Sequence, residues 1–178
     1  SPTPTQPPQL TMDVLQQFRI IYGSMRQHFR EIEDRCGLSG TQMWVLQEVQ
    51  RSPKIGVTEL AGRMGIHQST CSQIIEKLVT RGFLSKTRQH ADLRRVGLCL
   101  APEGLTAIAA LPGPAEGTLP EALNSIPDVA LKTLNINLSE LIRHLPGRDD
   151  SFANVPLADK CGTKFATQTN NMHINNKH

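Results

Sequence analysis

A run of short polar side chains between residues 67 and 73 is well suited to hydrogen bonding with another molecule. Glutamine can form two hydrogen bonds with adenine, and serine or threonine can reach either bases or phosphates. A helix that served only structure would more often carry Glu–Lys pairs on its exposed face. We therefore predict that this run, with one lysine a turn further on, contacts DNA: His67, Gln68, Ser69, Thr70, Ser72, Gln73 and Lys77.

Positive charge is concentrated around this run. Between Lys54 and Arg95 the sequence has eight basic and three acidic residues, a net charge of +5. The whole chain carries +3, so the remainder carries −2. A locally basic segment is typical of a surface that binds phosphates, although a solvated face of lysines and arginines is the alternative.

A second charged cluster lies in the segment Asp92-Leu-Arg-Arg95, at a predicted hairpin turn. An arginine at such a tip suits a narrow minor groove, where negative potential is concentrated. The carboxylate of Asp92 can hold Arg94 or Arg95 in place through a charge-assisted hydrogen bond. We assign Arg88, on the strand before the turn, to the same surface. An exposed ion pair that contributes little is the alternative.

Two short helices joined at Gly65 are predicted to position the polar run. The first spans Glu59 to Met64 with Thr58 as its N-cap, and the second spans Gln68 to Arg81. In a helix-turn-helix, the second helix enters the major groove and the first braces it, whereas a helix pair packed only for stability is the alternative. The residues expected to face inward are Ala61, Cys71 and Ile74.

The remaining elements are a β-hairpin and four flanking helices. The hairpin strands are predicted over Phe83–Arg88 and Arg95–Leu100, with residues 89–94 as a polar turn. Ser39 and Gln42 form a predicted capping box at the start of the second helix of the chain. Apolar residues at helical spacing predict helices over Leu10–Arg35, Gly40–Gln50 and Pro127–Leu145, and one that begins at Pro102 and breaks at Pro112–Pro114.

The run from Asp92 to Gly104 resembles the wing signature of the MarR family of transcriptional regulators. The residues between Leu60 and Leu84 resemble the helix-turn-helix of the same family, and the similarity extends over about Leu10–Leu145. The resemblance implies a mainly α fold, in which a winged helix-turn-helix with a two-stranded wing joins a helical dimerisation region. It also implies a homodimer that binds a near-palindromic operator and represses transcription.

The domain organisation follows from this resemblance. Residues 1–9 are expected to be a disordered N-terminal segment, and residues 36–100 the DNA-binding domain. Residues 10–35 and 101–146 are expected to form the dimerisation region, and residues 147–178 a loosely ordered tail.

Three features depart from the family pattern. Gln73 stands where the family often has arginine, and the break at Pro112–Pro114 interrupts a helix that is usually continuous. The tail after Arg148 matches no part of the family pattern.

The resemblance also implies an effector. Family members often release DNA when a small aromatic or phenolic compound binds between the dimer base and the winged lobe. The residues predicted to line such a crevice, with core packing as the alternative, are Tyr22, Arg26, His28, Met43 and Trp44.

Two other functions fit the same fold. A redox-sensing repressor needs an exposed, activated thiol, for which Cys161, beside Lys160, and Cys36 are the candidates. The second of these functions is a winged-helix module that binds protein instead of DNA. The acid-free polar run argues against it.

Other classes of function have little support in the sequence. It has no nucleophile–base constellation and no glycine-rich phosphate loop, so we expect no enzyme and no cofactor. The four cysteines are widely spaced and predict no metal site. With no long apolar run and no secretory signal, we expect no membrane contact and a cytoplasmic location.

Overall fold

The computed structural model describes residues 8–89 and 92–161, without the side chains of residues 89, 92–94, 160 and 161. The predicted fold class is confirmed: a mainly helical chain carries one antiparallel hairpin. The helices and strands, in chain order, are α1 (Gln9–Cys36), α2 (Gly40–Arg51), α3 (Val57–Met64), α4 (Gln68–Thr80), β1 (Leu84–Gln89), β2 (Asp92–Leu100), α5 (Pro102–Ala109), α6 (Leu119–Ser125), α7 (Asp128–Arg143), a 3₁₀ helix (Asp150–Asn154) and α8 (Leu157–Cys161).

The connection between α1 and α2 follows local sequence signals. Gly37 adopts the left-handed conformation at φ 71° and its N–H bonds to the carbonyl of Glu33, which ends α1. The hydroxyl of Ser39 then accepts from the N–H of Gln42, whose side chain accepts from the N–H of Ser39. The predicted capping box is therefore confirmed.

The core lies around α2, which contacts α1, α4, α5, α8 and β2. Its fully buried side chains come from several elements, and each contributes about 1.5–3 kcal/mol through removal of apolar surface from water. They include Phe29, Leu46, Leu60, Ile75, Leu78 and Leu98.

The first helix of the helix-turn-helix begins earlier than predicted. Gly56, in extended conformation, is the N-cap of α3 and its carbonyl accepts from the N–H of Leu60. Thr58 lies inside the first turn, so its predicted capping role is wrong. Gly56 is fixed by its neighbour Ile55, which forms a β-bridge with Leu98.

The hairpin is longer than predicted. β1 and β2 pair from Leu84 opposite Leu100 to Gln89 opposite Asp92, with a register shift after Arg88. Asp92 and Arg94 therefore belong to a strand, and the prediction of a six-residue turn is wrong because the strands pair again at Gln89 opposite Asp92. Residues 90 and 91, which join the strands, lie outside the described residues.

The predicted break near Pro112–Pro114 is confirmed, because α5 ends at Ala109. The segment after the break is fixed to the core: His28 Nε2 lies 2.8 Å from the carbonyl oxygen of Pro114, and Gln47 Oε1 accepts from the N–H of Ala115 at 3.0 Å. α6 was not predicted. It has seven residues and no buried side chain, so no apolar stripe marks it in the sequence.

The end of the chain also differs from the prediction. Residues 147–178 were expected to be loosely ordered, yet residues 150–161 form the 3₁₀ helix and α8. Ala158 is buried, and Asp159 Oδ1 accepts from Thr41 Oγ1 at 2.5 Å. Two elements of about one turn each are too short to show periodicity. Residues 162–178, like residues 1–7, lie outside the described part of the chain.

Candidate nucleic-acid interface

One face of α4 is buried and the other is open. Cys71, Ile75 and Leu78 are fully buried at the spacing of one helical stripe. Ile74, which was predicted to face inward, is only half-buried, and Ile75 takes that position. The predicted DNA contacts lie on the other face: His67, Gln68, Ser69, Gln73 and Lys77 are exposed, and Thr70 and Ser72 are half-buried.

The turn before α4 has the conformation that the sequence predicts. Gly65 is left-handed at φ 64°, and Ala61 is buried beneath it. The N–H of Ile66 bonds to the carbonyl oxygen of Ala61 at 3.1 Å, which closes the end of α3. This turn places His67 as the N-cap of α4, so the polar run begins at the exposed start of the helix.

The wing lies against α4. Lys86 on β1 forms an ion pair with Glu76 on α4. Arg88 and Arg95 are exposed on the two strands. The predicted ion pair between Asp92 and an arginine lies outside the described side chains, because those of Asp92 and Arg94 are not described.

Lys54 is a candidate contact that sequence reasoning counted as charge but did not assign to the site. It adopts the left-handed conformation at φ 68°, and its N–H bonds to the carbonyl oxygen of Leu98 at 2.8 Å. Lys54 and Arg95 both line a cleft of about 690 Å³ between the start of α3 and the wing. The Pro-Lys-Ile segment before α3 contained no signal that would place it beside the wing.

Arg63 does not add free positive charge to this surface. Its guanidinium contacts Glu59 Oε1 at 2.7 Å and Glu48 Oε2 at 3.5 Å, and the hydrogen bond to Glu59 is the main reason that the pKa of Arg63 is raised. Glu48 is nearly buried and also accepts from Arg51 at 2.9 Å and from Trp44 Nε1 at 3.3 Å. This network of charged side chains therefore holds α3 on α2, and the Arg63 guanidinium is not directed at a ligand.

The five predicted effector contacts do not line one open crevice. Met43 has no exposed surface and is part of the core, so a ligand cannot reach it in this conformation. The Trp44 indole bonds to Glu48, and the His28 ring bonds to the loop at Pro114. Arg26 lines a shallow polar hollow on α1, and Tyr22 is 49% exposed.

The thiols of Cys36 and Cys71 are less acidic than that of an ordinary cysteine. Burial raises the pKa of Cys36, with Arg35 only partly opposing it, and raises the pKa of Cys71 to about 11. A sensor thiol needs the opposite shift, so the observed direction disfavours Cys36 in that role. The side chain of Cys161 lies outside the described set. No metal-binding group of three His, Cys, Asp or Glu side chains occurs among the described residues.

Together α3, α4 and the hairpin define a winged helix-turn-helix domain. Residues 38–96 match the model of the MarR family. The matched segment is the winged helix-turn-helix domain, in which the sequence motifs also resemble that family. No helix in the described ranges combines the length and apolar content needed for a bilayer span.

Individual relatives are distant. The HTH-type transcriptional repressor MdtR of Bacillus subtilis is 23% identical over 96 residues, which are 54% of this chain and 62% of MdtR. The chain therefore matches less than two thirds of that relative's length.

Solved structures show the shared fold. The YusO protein of Bacillus subtilis superposes with a TM-score of 0.50 at 17% identity, covering 79% of this chain and 100% of YusO. The MepR–DNA complex of S. aureus gives a TM-score of 0.50 at 14% identity, covering 73% of this chain and 94% of MepR.

Proposed function

We propose that this chain is a homodimeric, sequence-specific DNA-binding protein that represses transcription. It would act in the cytoplasm, where the DNA lies. The observation that carries the proposal is the exposed, acid-free start of α4 beside the wing. The winged-helix fold is shared with MepR, whose structure is a DNA complex, and MdtR is named as a transcriptional repressor.

In the proposed complex, α4 enters the major groove, which is about 12 Å wide. Ser69, Thr70, Ser72 and Gln73 contact base edges and phosphates from its exposed face, and His67 and Gln68 lie at its leading end. Lys77, Arg88 and Lys54 contact the phosphate backbone. Arg94 or Arg95 on the wing enters the minor groove, with Asp92 orienting the arginine.

The proposed dimer is supported by apolar residues that the single chain leaves exposed. On α1, Phe18 is 41% and Ile21 is 42% exposed, and on α7, Ile136 is 68% exposed. Phe18 and Ile21 are neighbours on one face of α1, and an exposed apolar patch of this kind is typical of an interface. A second copy of the chain would cover both helices, and its two-fold symmetry would place the half-sites of a near-palindrome about 34–36 Å apart.

Release of the DNA by a small aromatic compound is part of the same proposal. Tyr22, Arg26, His28 and Trp44 keep accessible surface on α1 and α2, where such a compound would act. A contact with Met43 would require α2 to move. Titration of the protein–DNA complex with salicylate-like and phenolic probes tests this part, and unchanged DNA affinity with every probe would contradict it.

Selection of duplexes from a random library at modest ionic strength tests the DNA-binding function. We expect enrichment of one near-palindromic sequence by the full chain. Gln73→Ala should change the base preference at one symmetric pair of positions, because a bidentate contact discriminates by about 1–3 kcal/mol. The matched control is Gln50→Ala, which removes an exposed glutamine on α2. Failure to enrich any sequence would contradict the proposal.

A further inference from the structure

The C-terminal segment, residues 148–161, ends in α8, which packs on both α1 and α2. Pro156 and Ala158 are its buried residues, although most of the segment around them is exposed. Thr41, at the start of α2, is 2% exposed and its hydroxyl donates to Asp159 at 2.5 Å. We call residues 148–161 the strap.

The strap approaches the start of α2 closely at Gly40. A Cβ atom on Gly40 would lie 2.9 Å from the Cβ of Ala158 and 2.9 Å from Cδ1 of Phe29, so only glycine allows this approach. Phe29 belongs to α1 and Gly40 to α2, and α8, which carries Ala158, contacts both helices. The chain turns at Gly37 between the helices, and the strap adds a side-chain contact there to the direct packing of Phe29 and Ile32 in the core.

The junction beneath the strap lies between the apolar part of α1 and the winged-helix core. The N-terminal part of α1 is exposed along its apolar residues, whereas α2 is the centre of the winged-helix core. The angle between α1 and α2 therefore sets where the DNA-binding lobe lies relative to the proposed dimer interface.

We propose that the strap locks the angle between α1 and α2. It thereby fixes the spacing between the two copies of α4 in the proposed dimer. The spacing part rests on the dimer of the proposed function, and the locking part does not. Detachment of the strap leaves the lobe folded but loosens the angle between α1 and α2, which is then held by buried α1 side chains such as Phe29 and Ile32. The strap is therefore a built-in control of operator geometry.

Hydrogen exchange of the full-length chain tests the locking part. Ala158→Glu places a charge at a buried position beside Gly40 and should detach the strap. Amides at the α1–α2 junction should then exchange at least about tenfold faster, while those of α4 are unchanged. Asp159→Ala removes only the acceptor for Thr41 and should give a smaller acceleration. The control, Ser151→Glu, adds the same charge at an exposed strap position. Equal exchange in Ala158→Glu and the control would overturn the proposal.

The spacing part is tested with the selected operator after insertion of one base pair between its half-sites. We expect the control to lose more affinity than Ala158→Glu, because a freed lobe adapts to the altered spacing. Equal losses in the two variants would overturn the spacing part. If neither variant nor the unmodified chain binds any duplex, the proposed function fails, and the exchange experiment still decides whether the strap locks the junction.

Discussion

Lys86 on the wing and Glu76 on α4 form an ion pair that joins the two parts of the candidate DNA surface. Both side chains are partly exposed, so the pair contributes little to stability. It does place the first strand of the hairpin beside the second half of α4, so a duplex bound along this helix would also lie near the wing.

Replacement of both wing arginines, Arg94→Ala with Arg95→Ala, should weaken DNA binding strongly. Each lost phosphate or groove contact lowers the salt dependence of the binding constant by about one unit of slope, so the slope should fall by up to about two. Fluorescence anisotropy with a labelled operator across a range of salt concentrations measures both quantities.

A charge-matched control separates this effect from net charge. Arg35→Ala with Lys132→Ala removes two exposed cations from α1 and α7, each of which is paired within its own helix. We expect the control to bind operator nearly as the unmodified chain does. Equal weakening by the control and the wing variant would show that the wing is not specifically involved.

A single methyl group at position 97 should disturb the anchoring of the wing. The added Cβ of Gly97→Ala would lie 2.9 Å from the carbonyl oxygen of Lys54, which is backbone and cannot easily move. We expect a loss of about 1–3 kcal/mol in the free energy of unfolding, measured by urea denaturation. Gly62→Ala is the matched control, since nothing lies within 4 Å of its Cβ and alanine is favoured in a helix by about 0.5–1 kcal/mol. A loss in the control as large as that of Gly97→Ala would refute this explanation.

The parts of the fold that the sequence predicts correctly depend on residues close together in the chain. The Ser39–Gln42 cap and the left-handed Gly65 each need only their neighbours. The contact between Thr41 and Asp159 joins positions 118 residues apart, and no local sequence pattern predicts it. Most of the polar run on α4 is exposed, as its local pattern indicates, although Ile75 rather than Ile74 is buried. The predicted effector contact Met43, in contrast, is buried because of how α2 packs in the core.

A charge in the apolar surface of α1 should prevent association of two chains. Phe18→Glu would place a carboxylate in the proposed interface, and we expect sedimentation to show a monomer at concentrations where the unmodified chain is a dimer. Arg19→Glu is the control, because it alters an exposed polar position next to it on the same helix. Dimers of unchanged stability in Phe18→Glu would place the interface elsewhere.

Alkaline pH should destabilise the domain through Cys71. Burial raises the pKa of its thiol from 9.0 to about 11, so the folded chain holds this proton in a range where the unfolded chain has released it. The free energy of unfolding should therefore fall as pH rises from about 9 to about 11, because the unfolded state binds fewer protons there. Cys71→Ala lacks the ionisable group and should lose less stability over the same range, despite a lower value at pH 7 from the lost side-chain volume. Urea denaturation at closely spaced pH values measures both curves, and parallel curves would mean that another group controls the alkaline loss.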